Sequence, residues 1–347
     1  MRKDISIILF VCFVAVWPVN AAVIFETNFD SGDDWTVTQP TSQTNSCHPS
    51  ESCGMPNGFT SYENGRSFCS GIDEPGRNTM YFDTYAGYPS ETNACYSGAK
   101  CFTFWDESCT EQMENSDGQI GVHLGQEYED IYVRFKIRFK TDFELASNFL
   151  HKFYHIQHSV TNTDPFAYLN NEGHENNQPL SSGGLSSYAD GTLYFYVNAR
   201  CQNTYYCYDD INWSLGSISS NRSSGLLDGD WHTIEIRQKR NSSIGTANGL
   251  IELWIDGSKK SYVTGYEGDE IPFNDSGSSQ LRGWSFVSIG GNTNNQFDTS
   301  CSNLADCEQW YAVDDVVIST TYVGTSYEVS GGGEESRGRS AILNFSR

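Results

Sequence analysis

The chain has 347 residues, with 21 Lys and Arg against 44 Asp and Glu for a formal net charge of −23, and it is 37% hydrophobic and 14% aromatic. That apolar content supplies a sizeable core, and 19% charged residues is too few for a disordered polyampholyte. The negative balance excludes non-specific phosphate binding and disfavours anionic membrane surfaces, because both need basic patches.

Arg2 and Lys3 precede an apolar run from Ile5 to Trp17, and Val19-Asn20-Ala21 forms a small-residue exit. The pattern predicts a secretory signal peptide over residues 1–21 with Ala22 as the mature start, and an uncleaved anchor as the alternative. The run of 13 residues is short of the ~20 that cross a bilayer core. Removing the segment takes two cations and one anion with it, so the exported chain stays acidic. A secreted or periplasmic monomer is expected.

Beyond residue 21 there is no internal repeat and no long helical pattern. Short runs rich in Val, Ile, Phe, Tyr and Trp alternate with Gly, Asn, Ser and Asp clusters, the pattern of an antiparallel sheet protein. Predicted strands run over 23–29, 130–140, 149–158, 192–198, 231–239, 249–256, 284–289 and 312–319. Eight or more strands in one domain, 22–329, predict an all-β, antiparallel two-sheet β-sandwich. Residues from about 40 to 120 are cysteine-rich and polar and are expected as loops decorating it. From Ser330 the chain runs through Gly331, Gly332 and Gly333 into a segment without strand pattern, expected as a flexible tail over 330–347.

Cys12 leaves with the signal, and ten cysteines remain. Four couples share a spacing of six: Cys47/Cys53, Cys95/Cys101, Cys201/Cys207 and Cys301/Cys307. Cys69 and Cys109 are then left to each other, giving five expected disulfides in an oxidising compartment. Zinc is the rival use of these thiols, but no Cys-x2-Cys couple stands near a spaced His pair.

Three strands carry candidate chemistry. In IYVRFKIRFK, Tyr132, Arg134, Lys136, Arg138 and Lys140 alternate with Val133, Phe135, Ile137 and Phe139, a cationic stripe that could steer a polyanion or simply face water. In HKFYHIQH, strict alternation puts Lys152, Tyr154 and His158 on one face and His151, Phe153, His155 and Gln157 on the other. In TLYFYVN, Tyr194, Tyr196 and Asn198 share the face opposite Leu193, Phe195 and Val197. Imidazoles and phenols are suited to carrying protons and cations to holding carboxylates.

Asp228–Gly257, with its DGDWHTIEIRQKRN and GLIELWIDG strands, and YAVDDVVIS, Tyr311–Ser319, resemble the paired and closing strands of concanavalin A-like jelly rolls. Ile131–Phe153 resembles the middle of jelly-roll polysaccharide lyases that cut alginate or glucuronan. The resemblance implies β-elimination on a uronic-acid polysaccharide without a redox cofactor. It places Lys152 at the carboxylate-binding position and Tyr194 and Tyr196 on the acid/base strand, with His155 or His158 as a further base. Arg134, Lys136, Arg138, Asn198 and Gln157 are the expected sugar-binding residues. Jelly rolls often tie their first and last strands with an ion, so Glu26, Asp314 and Asp315 are expected calcium ligands.

The chain departs from the pattern twice. Ser186-Ser187-Tyr188 stands where a Ser-x-Arg is expected, with Arg200 the nearest arginine beyond, and Ile156-Gln157-His158 replaces Gln-Ile-His. A glucanase reading needs Glu-x-Asp-x-x-Glu, which is absent. The alternative function is a non-catalytic carbohydrate-binding sandwich in which Trp213, Trp254, Trp284 or Trp310 stack on sugars.

Overall fold

The computed structural model describes residues 22–30, 35, 45–47, 54–55, 57–64, 81–82, 95–98, 100–107, 118–141, 143, 150–159, 179–201, 208–265, 267–291 and 308–329. The expected signal peptide and tail lie outside these residues, as do Cys53, Cys69, Cys109, Cys207, Cys301, Cys307 and the side chain of Cys47.

The described residues form sixteen strands and one helix: β1 (Val23–Thr27), β2 (Asn45–Cys47), β3 (Ser61–Asn64), β4 (Tyr81–Phe82), β5 (Phe102–Glu107), β6 (Gly118–Tyr128), β7 (Asp130–Phe139), β8 (Leu150–Gln157), β9 (Leu180–Ser187), β10 (Thr192–Arg200), β11 (Tyr208–Ser217), α1 (Ile218–Ser224), β12 (His232–Lys239), β13 (Leu250–Ile255), β14 (Ser258–Lys259), β15 (Trp284–Gly291) and β16 (Glu308–Ser319). They form two antiparallel sheets. The first runs β14-β13-β12-β7-β16-β5-β4 with β1 also on β16, and the second runs β11-β10-β9-β8-β15-β6-β3-β2.

Period-two alternation assigns the inner faces. Val133, Phe135, Ile137 and Phe139 of β7, Ile234 and Ile236 of β12, and Ile251 and Leu253 of β13 are fully buried, and they meet Leu193, Phe195 and Val197 of β10 and Val287 and Ile289 of β15 in one core. Truncating such residues leaves a cavity, at about 2–5 kcal/mol each for a branched aliphatic. The eight predicted strands are all present within a few residues. The cysteine-rich stretch differs from expectation, because it supplies β2 and β3 at the edge of the second sheet and β4 and β5 at the edge of the first.

Four of the five expected disulfides include a cysteine outside the described residues. Cys95 and Cys101 are bonded and pack with Trp310 and Ala312 in a small satellite cluster, and Cys201 is disulfide-bonded too. Asn212, Asn221, Asn241 and Asn274, each the first residue of an Asn-x-Ser triplet, are buried, and the last two bond to each other, with Asn274 N donating to Asn241 Oδ1 at 2.8 Å.

The turn between β13 and β14 is held by charge. Asp256 takes a left-handed φ of 51° ahead of Gly257, and its carboxylate accepts from Thr233 N at 2.8 Å and contacts His232 Nδ1 at 2.8 Å. Asp228 meets His232 Nε2 at 3.0 Å. Burial alone would lower the imidazole, but the two carboxylates outweigh it and raise His232 to about 9. A folded pKa above the free value of ~6.5 means this stabilisation is complete below that pH and is lost as pH rises through about 9. Because Asp256 is half exposed, solvent screening leaves it worth about 1–2 kcal/mol. Urea titrations should therefore show His232→Gln less stable than wild type by that amount at pH 6, with the gap closing by pH 10; a gap constant with pH would refute the ion-pair origin.

Candidate functional site

The site begins with one irregularity in β8. Lys152 pairs with Gly184 of β9, but Tyr154 pairs with Gly183, so Phe153 is an extra residue, a β-bulge. Strict alternation would separate Lys152 from His155. The bulge instead returns Lys152, His155 and Gln157 to one face and turns Tyr154 and Ile156 into the core with Phe153. The expected partition of this strand is corrected accordingly, and Tyr154 is a core residue with its hydroxyl pKa raised by burial.

The register then aligns side chains in rows across the second sheet. Tyr196 lies opposite Gly184, which lies opposite Lys152. Asn198, Ser182, His155 and Ser288 make the next row, and Arg200, Leu180, Gln157 and Phe286 the one after. Tyr194 stands on the other side of the Tyr196 row, opposite Ser186, with Tyr188 edge-on at 5.0 Å. On β9, Ser182, Gly184 and Ser186 carry nothing larger than a hydroxyl, so the flanks on β8 and β10 stand roughly 10 Å apart over a low floor. Lys152 and Tyr194 are half-buried, while His155, Gln157 and Tyr196 are buried, and Tyr196 lies outside the hydrophobic core cluster.

Glycines make this packing possible. A Cβ on Gly184 would lie 1.8 Å from the His151 carbonyl oxygen and 2.9 Å from Lys152 Cα, so only glycine lets β9 close on the bulge. A Cβ on Gly291 would lie 2.8 Å from Lys152 Cβ and 3.0 Å from His155 Cε1, which locates both side chains beside the same backbone.

His155 is held neutral. Burial drives its pKa well below the usual value, and the Lys152 and Arg200 charges push in the same direction against a hydrogen bond to the Gly290 backbone. The Ser288 hydroxyl donates to Gln119 Oε1 at 2.8 Å and lies 3.4 Å from His155 Nδ1. A neutral imidazole has one N–H donor and one lone pair, so this ring keeps a basic nitrogen at neutral pH.

Other expected residues are placed elsewhere. His158 follows the end of β8 beside Glu127, 3.6 Å from its carboxylate, and its charge adds to burial in lowering the proton affinity of His123. Arg134, Lys136 and Arg138 lie on the outer face of the first sheet, across the core from Lys152, and they are buried rather than wet. Arg134 sits among Asp315, Glu235, Tyr96 and Tyr327; Lys136 donates to Thr233 Oγ1 at 2.8 Å and lies over the Tyr96 ring; Arg138 packs over Trp310. At its Arg134 end the stripe is flanked by the 320–329 segment, because Glu235 accepts from the amides of Val323 and Gly324 at 2.7 and 2.9 Å and Tyr322 packs edge-on to Tyr132.

Of the expected calcium ligands, Glu26 accepts from the Tyr327 hydroxyl at 2.6 Å, Asp314 from Ser97 N at 2.9 Å, and Asp315 from Ser97 Oγ at 2.7 Å. Burial pushes Asp314 up to about 8. Among the described residues no three acidic, His or Cys side chains form a group that could hold a metal ion. Trp213, Trp284 and Trp310 are buried and do not present a stacking surface, whereas Trp254 is half-buried against Tyr132 and Tyr322.

Sequence reasoning passed over Ser288, Gln119 and Arg200. Continuing the Tyr194, Tyr196, Asn198 alternation by two residues would have reached Arg200, while nothing local marks Ser288 or Gln119.

No family model matches the chain, and no curated protein matches it. Among solved structures, the alginate lyase Aly36B is similar with 14% identity, 65% of this chain and 82% of that chain covered, and a TM-score of 0.40. An endo-β-1,4-glucuronan lyase from the fungus Trichoderma reesei shares 12% identity over 81% of this chain and 96% of its own, with a TM-score of 0.44. The binding domain of botulinum neurotoxin DC shares 16% identity over 63% and 39%, with a TM-score of 0.32. Enzymes and a binding domain both stand among these similar structures.

The bulge depends on Gly184, so Gly184→Ala is expected to cost about 2–4 kcal/mol in chemical denaturation, far above the cost of an ordinary exposed-strand change. A loss under 0.5 kcal/mol would show that β8 reaches its register without that close approach.

Proposed function

We propose that this chain is an exported polysaccharide lyase that cleaves a uronic-acid-containing glycan by β-elimination. The observation that carries the reading is the convergence of one ammonium, one neutral imidazole and two phenols on adjacent rows of a single sheet face, at Lys152, His155, Tyr194 and Tyr196.

Elimination needs three tasks done together. Lys152 neutralises the sugar carboxylate and so acidifies the C5 proton. His155 takes that proton on its basic nitrogen as the C4–C5 double bond forms. The C4–O bond breaks and Tyr196, in the Lys152 row, gives its proton to the leaving oxygen. Tyr194 and Asn198 flank it on β10 and orient the rings on either side. His155 needs no redox or metal partner for this role, and its depressed pKa keeps it a base in mildly acid solution.

The product carries a conjugated double bond, so absorbance in the short ultraviolet reports turnover on alginate, glucuronan and pectin. Lys152→Ala, His155→Gln and Tyr196→Phe are each expected to lower the rate by about 10²–10⁴-fold with the melting temperature retained. The acid limb of kcat/KM is expected well below pH 6.5, because His155 is protonated only there. No new absorbance on any of the three polymers, or unchanged rates in all three variants, would overturn the assignment. Binding without absorbance would favour a non-catalytic carbohydrate module.

A further inference from the structure

The eight strands of the second sheet contain only two lysine or arginine residues, Lys152 and Arg200, whereas β7 alone carries three. Both face away from the core. Arg200 continues the alternation of Tyr194, Tyr196 and Asn198, and it lies opposite Leu180, which lies opposite Gln157. Its charge reaches His155, as does that of Lys152. Cys201, the next residue, is disulfide-bonded and buried, which anchors the end of β10.

The two cations are not equivalent. Lys152 shares a row with Tyr196, and Arg200 is two rows along and two strands across, roughly 16–17 Å away between Cα atoms. His155 stands in the row between them. One carboxylate gripped by both would have to sit over the imidazole and would block it from the ring proton it must remove. Two carboxylates, one to each cation, leave the imidazole open to the sugar between. A planar guanidinium also suits a carboxylate that is held in place rather than activated.

Building on the elimination reading, we infer that Arg200 is a second carboxylate anchor, which holds the carboxylate of a neighbouring sugar residue while Lys152 holds that of the sugar to be cleaved. Arg200 binds and sets specificity; it takes no part in the proton transfers.

The test is calorimetric binding, in a Tyr196→Phe background that stops turnover, of alginate and glucuronan tetrasaccharides and of their carboxyl-reduced counterparts. Arg200→Gln is expected to weaken the charged tetrasaccharides about tenfold and to lower the slope of log Kd against log salt by about one. It leaves binding of the reduced forms unchanged, and Arg200→Lys restores part of the loss. Equal weakening of charged and reduced ligands would assign Arg200 a structural role and overturn the inference. So would full affinity in Arg200→Gln while Lys152→Ala still weakens binding, and the elimination reading would survive that result. If the parent protein binds neither charged tetrasaccharide, both readings fall together.

Discussion

One extra residue in β8 governs the arrangement of the candidate site. Side chains of a regular strand alternate with a period of two, and a lysine and a histidine three positions apart must point to opposite faces. The bulge at Phe153 cancels that parity. It puts both groups on the outer face while keeping Phe153, Tyr154 and Ile156 in the interior, so the core loses no apolar contact in exchange for the site. Strand ladders tolerate such insertions where a neighbour can approach closely, and Gly184 provides that neighbour.

The environment around the site follows from the same arrangement. His155 is neutral chiefly because it is buried, and the Lys152 and Arg200 charges push the same way. The opposite sheet treats its charges differently. Arg134 and Glu235 are both buried there, interacting with each other beside the 320–329 segment, and Lys136 and Arg138 find a hydroxyl and a tryptophan ring. Arg134 is balanced there by the charges of Asp315 and Glu235 rather than by hydrogen bonds, and removing one such partner leaves the buried cation uncompensated.

Much of the architecture was legible in the residues. Alternating Val, Ile and Phe in β7, β12 and β13 specify a half-buried sheet, and the Tyr194 and Tyr196 pair shares a face as its spacing requires. Three things were not legible. A bulge leaves no mark in HKFYHIQH, since each residue there suits either face, so the parity of His155 came out wrong. The Leu180–Ser187 strand, LSSGGLSS, has the composition of a turn and becomes a strand only because β8 and β10 supply hydrogen-bond partners on both sides. The polar face of β7 looks like a solvated surface because sequence alternation cannot reveal that Glu235 pins a distant segment beside its Arg134 end.

The low floor built by β9 has an evolutionary corollary. Its outward residues carry none of the proposed proton transfers, yet in the proposed lyase they set how far a sugar can descend between the flanking strands. Enlarging Ser182 or Ser186 would act as a plug, reshaping the admissible cargo while leaving Lys152, His155 and the tyrosines where they stand. Diversification of this scaffold toward bulkier or branched guests can therefore proceed through the dullest strand in the molecule, with its chemical apparatus inherited intact.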